Sequence, residues 1–452
     1  MEMDFSQEQQ LIFDKYIQGK NLFITGPGGT GKSFLIKHIY EDACKKGISV
    51  DITALTGCAA TILQCKAKTI HSWGGIGIGT GTISEIINKI KKNTYAKSNW
   101  LNAQVLIIDE VSMMSRKLFD ILDGVGKIIR RNSKPFGGIQ LLFSGDFYQL
   151  PPVGNKNEKE TSEFCFQSTE WDKTFLLEDH ILLKKIFRQS DPKYQKILNQ
   201  IREGRMTRSI NDTLLSFVGR TITDDILVKP TKLFPIRSMV DNINISEMNQ
   251  IKGKKHEFKL KYHTDLEVPP YESSKRSEYT CEQIQSELIY LKGNLRCDEI
   301  LNLKVGAQVM CIVNIKIEDD DILCNGAQGT IVKIQDGLPV VKYRNGYEMI
   351  MTNHIWQSET IPGIGVSQIP LVLAWALTIH KSQGSTLDVA EIDAGSSIFE
   401  YGQTYVALSR VKSLDGLYLK SFDIRKIKIN PKVRMFYDNL HSSLVKCHSL
   451  NK

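Results

Sequence analysis

No apolar run in this 452-residue chain approaches the ~18–20 residues that a membrane-spanning helix needs, so a role in or across a membrane is not expected. Nine cysteines are present, yet none forms a C-x-x-C pair. That spacing suggests neither a zinc ribbon nor a disulfide framework and leaves free thiols in a reducing compartment as the expectation. The opening Met1-Glu2-Met3-Asp4 carries neither the basic n-region of a signal peptide nor the Arg/Ser bias of a transit peptide. An intracellular setting is expected, with no evident mitochondrial targeting segment, and nucleus, cytoplasm, bacterium and virus all stay open. Solenoid repeats and low-complexity tracts are missing as well. What remains, 41% apolar and 24% charged, is the composition of a soluble globular protein with room for several domains. The charge balance, 58 basic against 50 acidic residues, leaves a net +8, a mild pointer to a polyanionic partner that decides nothing alone.

Against that background residues 26–33, GPGGTGKS, stand out. They satisfy G-x-x-x-x-G-K-[ST], a phosphate-binding loop. Gly26, Gly28, Gly29 and Gly31, with Thr30 between them, let successive backbone N–H groups turn inward around β- and γ-phosphates. Lys32 brings a point charge to the same oxygens, and Ser33 offers a hydroxyl to Mg²⁺. The apolar segment Asn21–Thr25 reads as a buried strand and Phe34–Lys46 as a helix, so the loop feeds phosphate to a helix N-terminus. Mg-ATP is the expected cofactor.

Further apolar segments, Val50–Ala54, Val105–Ile108 and Gln140–Phe143, read as strands buried on both faces, the pattern of a parallel sheet. A first α/β domain is placed at 1–182, with a glycine- and lysine-rich excursion at about 64–102. A second α/β region begins near Ile181 and resumes around Gln368, where Pro370–Ile379 and Val389–Ala394 read as strands. It is assigned to 183–452 and is interrupted by an insertion at about 250–362. The insertion opens with a lysine run (252–261) alternating with Phe258, Leu260 and Tyr262, read first as a solvated strand face. Asp336-Gly337 and Asn345-Gly346 then mark hairpins, hence a small antiparallel barrel. The acidic stretch Glu318–Asp321 is read as a loop.

Leu106-Ile107-Ile108-Asp109-Glu110 is an apolar strand ending in two acids, and the C-terminal edge of a parallel sheet is where ligands bind. Asp109 suits Mg²⁺ and Glu110 suits polarisation of an attacking water; two acids favoured by a helix dipole are the alternative. In Ser144-Gly145-Asp146-Phe147-Tyr148-Gln149-Leu150-Pro151-Pro152, Gln149 is the candidate γ-phosphate contact, and an ordinary strand-to-loop turn is the competing reading.

Together these motifs resemble the superfamily-one DNA helicases and most closely the Pif (petite integration frequency) family, in order from about Phe5 to Lys420. Phe5-Ser6-Gln7-Glu8-Gln9 is similar to an adenine-reading motif and nominates Gln9. Thr56-Gly57 and Thr69-Ile70-His71-Ser72-Trp73 resemble strand-contacting motifs. Pro135-Phe136-Gly137-Gly138 and the segment Leu183–Gln189 with Asp191, Leu198, Arg202 and Gly204 resemble family signatures, while Val305–Met310 and Asn325-Gly326 resemble an inserted SH3-like barrel. Trp375–Gly384 and Tyr405–Arg410 are similar to the fifth and sixth motifs. The resemblance implies an α/β fold of two RecA-like parallel-sheet domains with an ATP site between them, a small wedge excursion and an SH3-like antiparallel insertion. It makes Arg188 and Arg410 the cations that meet spreading phosphate charge, a role worth ~10³–10⁵ in rate where measured; a surface salt bridge is the alternative for each. It makes Thr56, Gly57, His71, Trp73, His380, Lys381 and Ser382 the DNA contacts, with Trp73 either stacked on a base or buried in the core. Tyr194, Ile197, Leu198 and Ile201 are read instead as a core stripe at helical spacing.

The function so implied is an ATP-dependent DNA helicase that moves five-prime to three-prime on single strands. It would open duplex, G-quadruplex or DNA–RNA hybrid in replication, repair, recombination or telomere maintenance. Single-stranded, forked and structured DNA are the expected partners. Replication or single-strand-binding proteins are further candidates, and the free protein is expected to be a monomer. Two rivals stay open: a DNA-stimulated translocase or remodelling ATPase without strand separation, and a RecD-like helicase subunit.

Overall fold

Alternate residues along the strands of the first unit feed two separate cores. The computed structural model describes residues 5–450 apart from 64, 78, 80–81, 156, 222–227, 269–275, 277–278, 296, 317–321 and 359–360; the acidic stretch Glu318–Asp321 lies outside the described residues. Six strands, β1 (Leu22–Thr25), β2 (Val50–Ala54), β3 (Lys68–Thr69), β4 (Val105–Asp109), β5 (Gln140–Ser144) and β6 (His180–Leu182), form one parallel sheet in the order β3-β2-β4-β5-β1-β6. Leu22, Ile24, Ile52, Ile107 and Leu142 point to a core closed by Leu35, Ile36 and Ile39 of the helix Lys32–Lys45 and by Ile12 and Tyr16 of the helix Gln7–Ile17. Phe23, Leu106, Ile108, Leu141 and Phe143 point the other way. They meet Leu118, Phe119 and Leu122 of the helix Arg116–Ile129 and the helices Ile83–Lys92 and Thr94–Asn102. A strand covered on both faces takes few polar side chains, and those such as Thr53 hydrogen-bond internally, which explains the mostly apolar runs.

The Pro135–Gly138 motif is a packing device here. Gly126 and Gly137 approach so closely that a Cβ on Gly126 would lie 2.6 Å from the Phe136 carbonyl carbon. Gly137 has φ +69°, and Phe136 itself is held at φ +49° while its N–H donates to Asp123 Oδ1 at 2.9 Å. Arg130 seals the turn, its Nε donating to Gly137 O at 2.8 Å and its Nη1 to Trp100 O at 2.7 Å.

The compact units divide at a different point from the 182/183 boundary expected from the sequence. The first comprises 1–206, 400–406 and 427–452; the second comprises 207–399 and 407–426. β6 is an edge strand of the first sheet, pairing Ile181 with Ile24, so no second α/β region begins at Ile181. The helix Pro192–Arg202 stays with that sheet because Arg202 is buried against Asp146, and its Tyr194, Ile197, Leu198 and Ile201 form the expected core stripe. The last helix, Pro431–Leu450, inserts Val433, Tyr437 and Leu440 into the first unit's second core.

The second unit has its own parallel sheet, ordered Ala376–Thr378, Thr231–Phe234, Ala390–Ala394, Leu417–Phe422. Pro370–Ile379 is two strands rather than one. Leu371–Leu373 pairs antiparallel with Gln308–Cys311, and only Ala376–Thr378 joins the parallel sheet. The insertion supplies four strands of a five-stranded antiparallel sheet completed by Leu371–Leu373, and both expected hairpin turns form. Asp336 and Gly337 have φ +52° and +79°, and Gly346 has φ +86°. In the lysine run Leu260 is buried while Lys259 and Lys261 are exposed, as a solvated strand face requires.

His180 supplies a pH test of the first unit. Its Nε2 accepts from Trp171 Nε1 at 3.2 Å and its Nδ1 faces Leu176 O at 2.9 Å, a pairing that only the neutral ring satisfies. Burial lowers its pKa, with the bond to Leu176 opposing. A lowered folded-state pKa means this stability is complete above the unfolded value of ~6.5 and is lost as pH falls below it. Urea midpoints at pH 7 and pH 5.5 should therefore separate less in His180→Gln than in the wild type.

Candidate functional site

The phosphate loop leaves β1 at Thr25 and enters the helix at Lys32, with Gly26, Gly29 and Gly31 at φ +147°, +85° and +81°. Packing constrains the same residues. A Cβ on Gly26 would lie 2.5 Å from Leu183 O, one on Gly29 2.5 Å from Arg188 Cβ, and one on Gly31 2.8 Å from Gln9 Nε2. The segment after β6 thus lies directly on the loop, held there by Leu183 N donating to Thr25 O (2.8 Å) and Phe187 N to Gly29 O (2.8 Å). Gly28 N–H donates to the Tyr405 hydroxyl at 2.8 Å, and buried Thr30 donates from Oγ1 to Pro27 O at 3.0 Å. Lys32 Nζ donates to Gly26 O at 2.8 Å and Pro27 O at 3.0 Å. Its surroundings are desolvated enough to lower its pKa, against the opposing charges of Asp146, Glu110 and Asp109.

Gln9 is buried beside this loop because it completes a capping box: its N–H donates to Ser6 Oγ and its Oε1 accepts from Ser6 N at 3.0 Å. Phe187 reaches the same spot, with a ring atom 3.6 Å from the position of a Gly31 Cβ, yet the residue is 51% exposed.

Asp109 closes β4 and is buried, which raises its pKa; the Ser144 and Ser33 hydroxyls and the Lys32 charge lie near enough to oppose that shift. Glu110 sits in the left-handed region, φ +56° and ψ +39°, a conformation that costs a non-glycine residue about 1 kcal/mol or more. Gly145 fits beneath the following turn: a Cβ there would lie 2.9 Å from Val111 N. Gly145 N–H donates to Ile24 O (3.1 Å) and Gln149 N–H to Asp146 O (2.8 Å), which places the buried Gln149 on a turn anchored to β1. Arg188 has its pKa lowered by burial while the charges of Tyr405 and Glu110 pull the other way, so it lies within electrostatic reach of Glu110. The first unit therefore gathers Gln9, Gly26–Ser33, Asp109, Glu110 and Arg188 around one loop, with the Gln149 turn anchored to the same strand. Arg410 belongs to the second unit, buried, with Nη2 donating to Ser409 Oγ at 2.8 Å.

The residues nominated for DNA divide into exposed and buried sets. Thr56 Oγ1 accepts from Ala59 N at 3.2 Å and so caps the helix Gly57–Leu63. His71 is half-buried, with burial lowering its pKa. It lines a pocket of about 250 Å³ with Leu55, Met113, Lys117, Pro152 and Val153, the last 81% exposed. His380 and Lys381 are exposed. Two nominees do not present themselves. Trp73 is 1% exposed and packed 4.7 Å from the Trp100 ring, so it cannot stack on a base without unpacking the core. Ser382 is fully buried and its hydroxyl donates to Ile379 O at 2.8 Å.

Several residues make contacts that the sequence reading did not assign to them, although Arg202, Phe187 and Tyr405 lie in motifs it named. Arg202 forks onto Asp146, Nε to Oδ2 and Nη2 to Oδ1, both at 2.8 Å. A charge next to the apolar stripe of its helix was the available signal. Tyr405, Phe187 and Tyr437 are brought in by contacts between segments far apart in the chain, for which no local pattern exists.

Comparison with known proteins bears on all of this. Residues 4–212 match the PIF1-like helicase family, and residues 291–334 match the 2B domain of DNA helicase Pif1. The chain is 37% identical to the ATP-dependent DNA helicase PIF1 of Danio rerio over 96% of its own length but 64% of the relative's. It thus spans just under two thirds of that protein. The crystal structure of Pif1 helicase from Candida albicans covers 97% of this chain and 100% of its own at 34% identity and a TM-score of 0.74. A Bacteroides Pif1 helicase in complex with ADP-AlF3 and single-stranded DNA superposes over 98% of both chains at 27% identity with a TM-score of 0.64.

Burial of Trp73 makes a prediction that separates packing from binding. Trp73→Ala should cost about 3–5 kcal/mol of stability in denaturant titration. Trp73→Phe should keep single-strand affinity unchanged in fluorescence anisotropy.

Proposed function

We infer that this chain, which belongs to the PIF1-like helicase family, hydrolyses ATP to move five-prime to three-prime along single-stranded DNA and to open duplex or structured DNA. The observation that carries this reading is the convergence of Lys32, Ser33, Asp109, Glu110 and Arg188 on one glycine loop. The loop N–H groups and Lys32 would bind the β- and γ-phosphates. Ser33 and Asp109, a hydroxyl beside a buried carboxylate, are hard oxygen donors that suit Mg²⁺. When bound, the ion supplies charge neutralisation at the phosphate oxygens. Glu110 would orient the attacking water and take its proton. Arg188 would meet the charge that spreads over the γ-phosphoryl group, its planar fork matching two oxygens. Gln149 would report the γ-phosphate, and Arg410 is the second cation that the motif order nominates.

On the nucleic acid side, the exposed His380 and Lys381, the capping Thr56 with Gly57 and the half-buried His71 are the proposed contacts. A charged groove with stacking surfaces is the usual means of holding a single strand without reading its sequence. The excursion at 64–102 is proposed to meet the fork, assisted by the antiparallel insertion. Replication or single-strand-binding proteins are the proposed further partners.

Strand separation of a forked duplex with one single-stranded tail tests the reading. Unwinding only from a five-prime tail, abolished in Lys32→Ala, is expected. DNA-stimulated hydrolysis without separation would replace the helicase by a translocase or remodeller. Absence of hydrolysis would sink both. Phe187 is expected to stack on the nucleotide base next to Gln9. Phe187→Ala should weaken binding of a fluorescent ATP analogue roughly tenfold, within the ~1–3 kcal/mol that base–aromatic stacking supplies, and leave single-strand affinity as it was.

A further inference from the structure

We propose that Tyr437, on the C-terminal helix Pro431–Leu450, is a positioning residue for hydrolysis: its hydroxyl ties the strand that launches the phosphate loop to the turn that carries Gln149. The inference rests on the ATPase reading above. Tyr437 OH lies 2.6 Å from Thr25 Oγ1, accepts from Phe147 N at 3.2 Å and donates to Asp146 Oδ1 at 3.3 Å. Thr25 immediately precedes Gly26, and Asp146 O takes the Gln149 N–H at 2.8 Å. One consistent proton arrangement satisfies every group. Asp146 is ionised and only accepts, Tyr437 donates to it, and Thr25 and Phe147 N donate to Tyr437. Thr25 and Asp146 are fully buried, Tyr437 is 1% exposed, and the Asp146 carboxylate also accepts from Arg202 and from Tyr148 N at 3.2 Å. Burial makes these bonds hard to exchange for water, so a shift of either segment must drag the other.

The ring is fixed independently of the hydroxyl. It stacks on Tyr148 with centroids 4.5 Å apart and planes 12° apart, and the Arg202 guanidinium lies over both rings, 4.6 Å from Tyr148 and 5.3 Å from Tyr437. The neighbouring Phe436 anchors the same helix without any polar atom, meeting Phe166 at 4.6 Å and Phe147 at 5.3 Å. The helix therefore carries two adjacent anchors of different kind, one that packs and one that also hydrogen-bonds to both active segments. Asp146 is in addition the leading opposing charge felt by Lys32, so its placement matters to the ammonium that meets phosphate.

The experiment compares wild type, Tyr437→Phe, Thr25→Val, the double variant and Phe436→Leu. Readouts are thermal midpoint, affinity for a fluorescent ATP analogue, and kcat and KM for ATP in saturating single-stranded DNA. Tyr437→Phe should lower kcat about tenfold, a change of 1.36 kcal/mol in barrier, with KM and nucleotide affinity little changed. Thr25→Val should fall similarly and the double variant no further, since both remove one shared interaction. Phe436→Leu should lower the thermal midpoint yet keep wild-type kcat below its transition. Wild-type kcat in Tyr437→Phe, or a parallel loss of kcat in Phe436→Leu, overturns the proposal and leaves the helix a packing anchor. A wild-type protein that hydrolyses no ATP instead overturns the functional reading beneath it.

Discussion

Asp146 and Arg202 share two hydrogen bonds of 2.8 Å with side chains 0% and 4% exposed, and much of the first unit is arranged to keep that pair dry and complete. A buried pair of this kind adds little net stability, because desolvating two charges cancels most of their attraction; breaking it by losing one partner is what costs about 3–5 kcal/mol. Its effect is on placement. Arg202 is drawn in from the end of the helix Pro192–Arg202, which fixes the segment 183–191 between that helix and β6. That segment is the one lying on the phosphate loop, through Leu183, Phe187 and Arg188. One ion pair thus helps to decide which residues lie against the glycine loop.

The same crowding explains why the loop tolerates so few residues. Glycine serves at 26, 29 and 31 for two reasons at once: positive φ and the absence of room for a Cβ against Leu183, Arg188 and Gln9. Glu110, by contrast, accepts a left-handed conformation without being glycine. Strain of that sort persists only where surrounding structure holds it. Here Gly145 leaves no slack beneath the turn that follows, so backbone geometry helps to aim the carboxylate beside Asp109.

Burial sorts residues that sequence spacing treats alike. Trp73 and His71 lie two positions apart in one motif, yet the helix Ile70–Gly74 turns the indole into the core and leaves the imidazole at the rim of a pocket. Ser382 and Lys381 are adjacent, and only Lys381 is exposed. By motif position each was a candidate for contact with nucleic acid, through a base or a phosphate. Which of them faces solvent depends on the phase of a short helix or turn, and that phase is set by what the segment packs against.

The phosphate loop, the two acids ending an apolar strand, the parallel sheet and the hairpin turns were determined by the sequence itself. Each depends on chemistry within a few consecutive residues: glycine's freedom at positive φ, the apolar run of a strand covered on both faces, Asp-Gly and Asn-Gly in tight turns. The tertiary structure decided what joins them. It added the Pro192–Arg202 helix to the first unit, broke Pro370–Ile379 into strands of two different sheets, and buried Trp73 and Ser382. It also brought Tyr437 across more than four hundred residues to Thr25. Such contacts are selected by the fit and desolvation of side chains from distant segments, a property of the folded interior that no local spacing encodes.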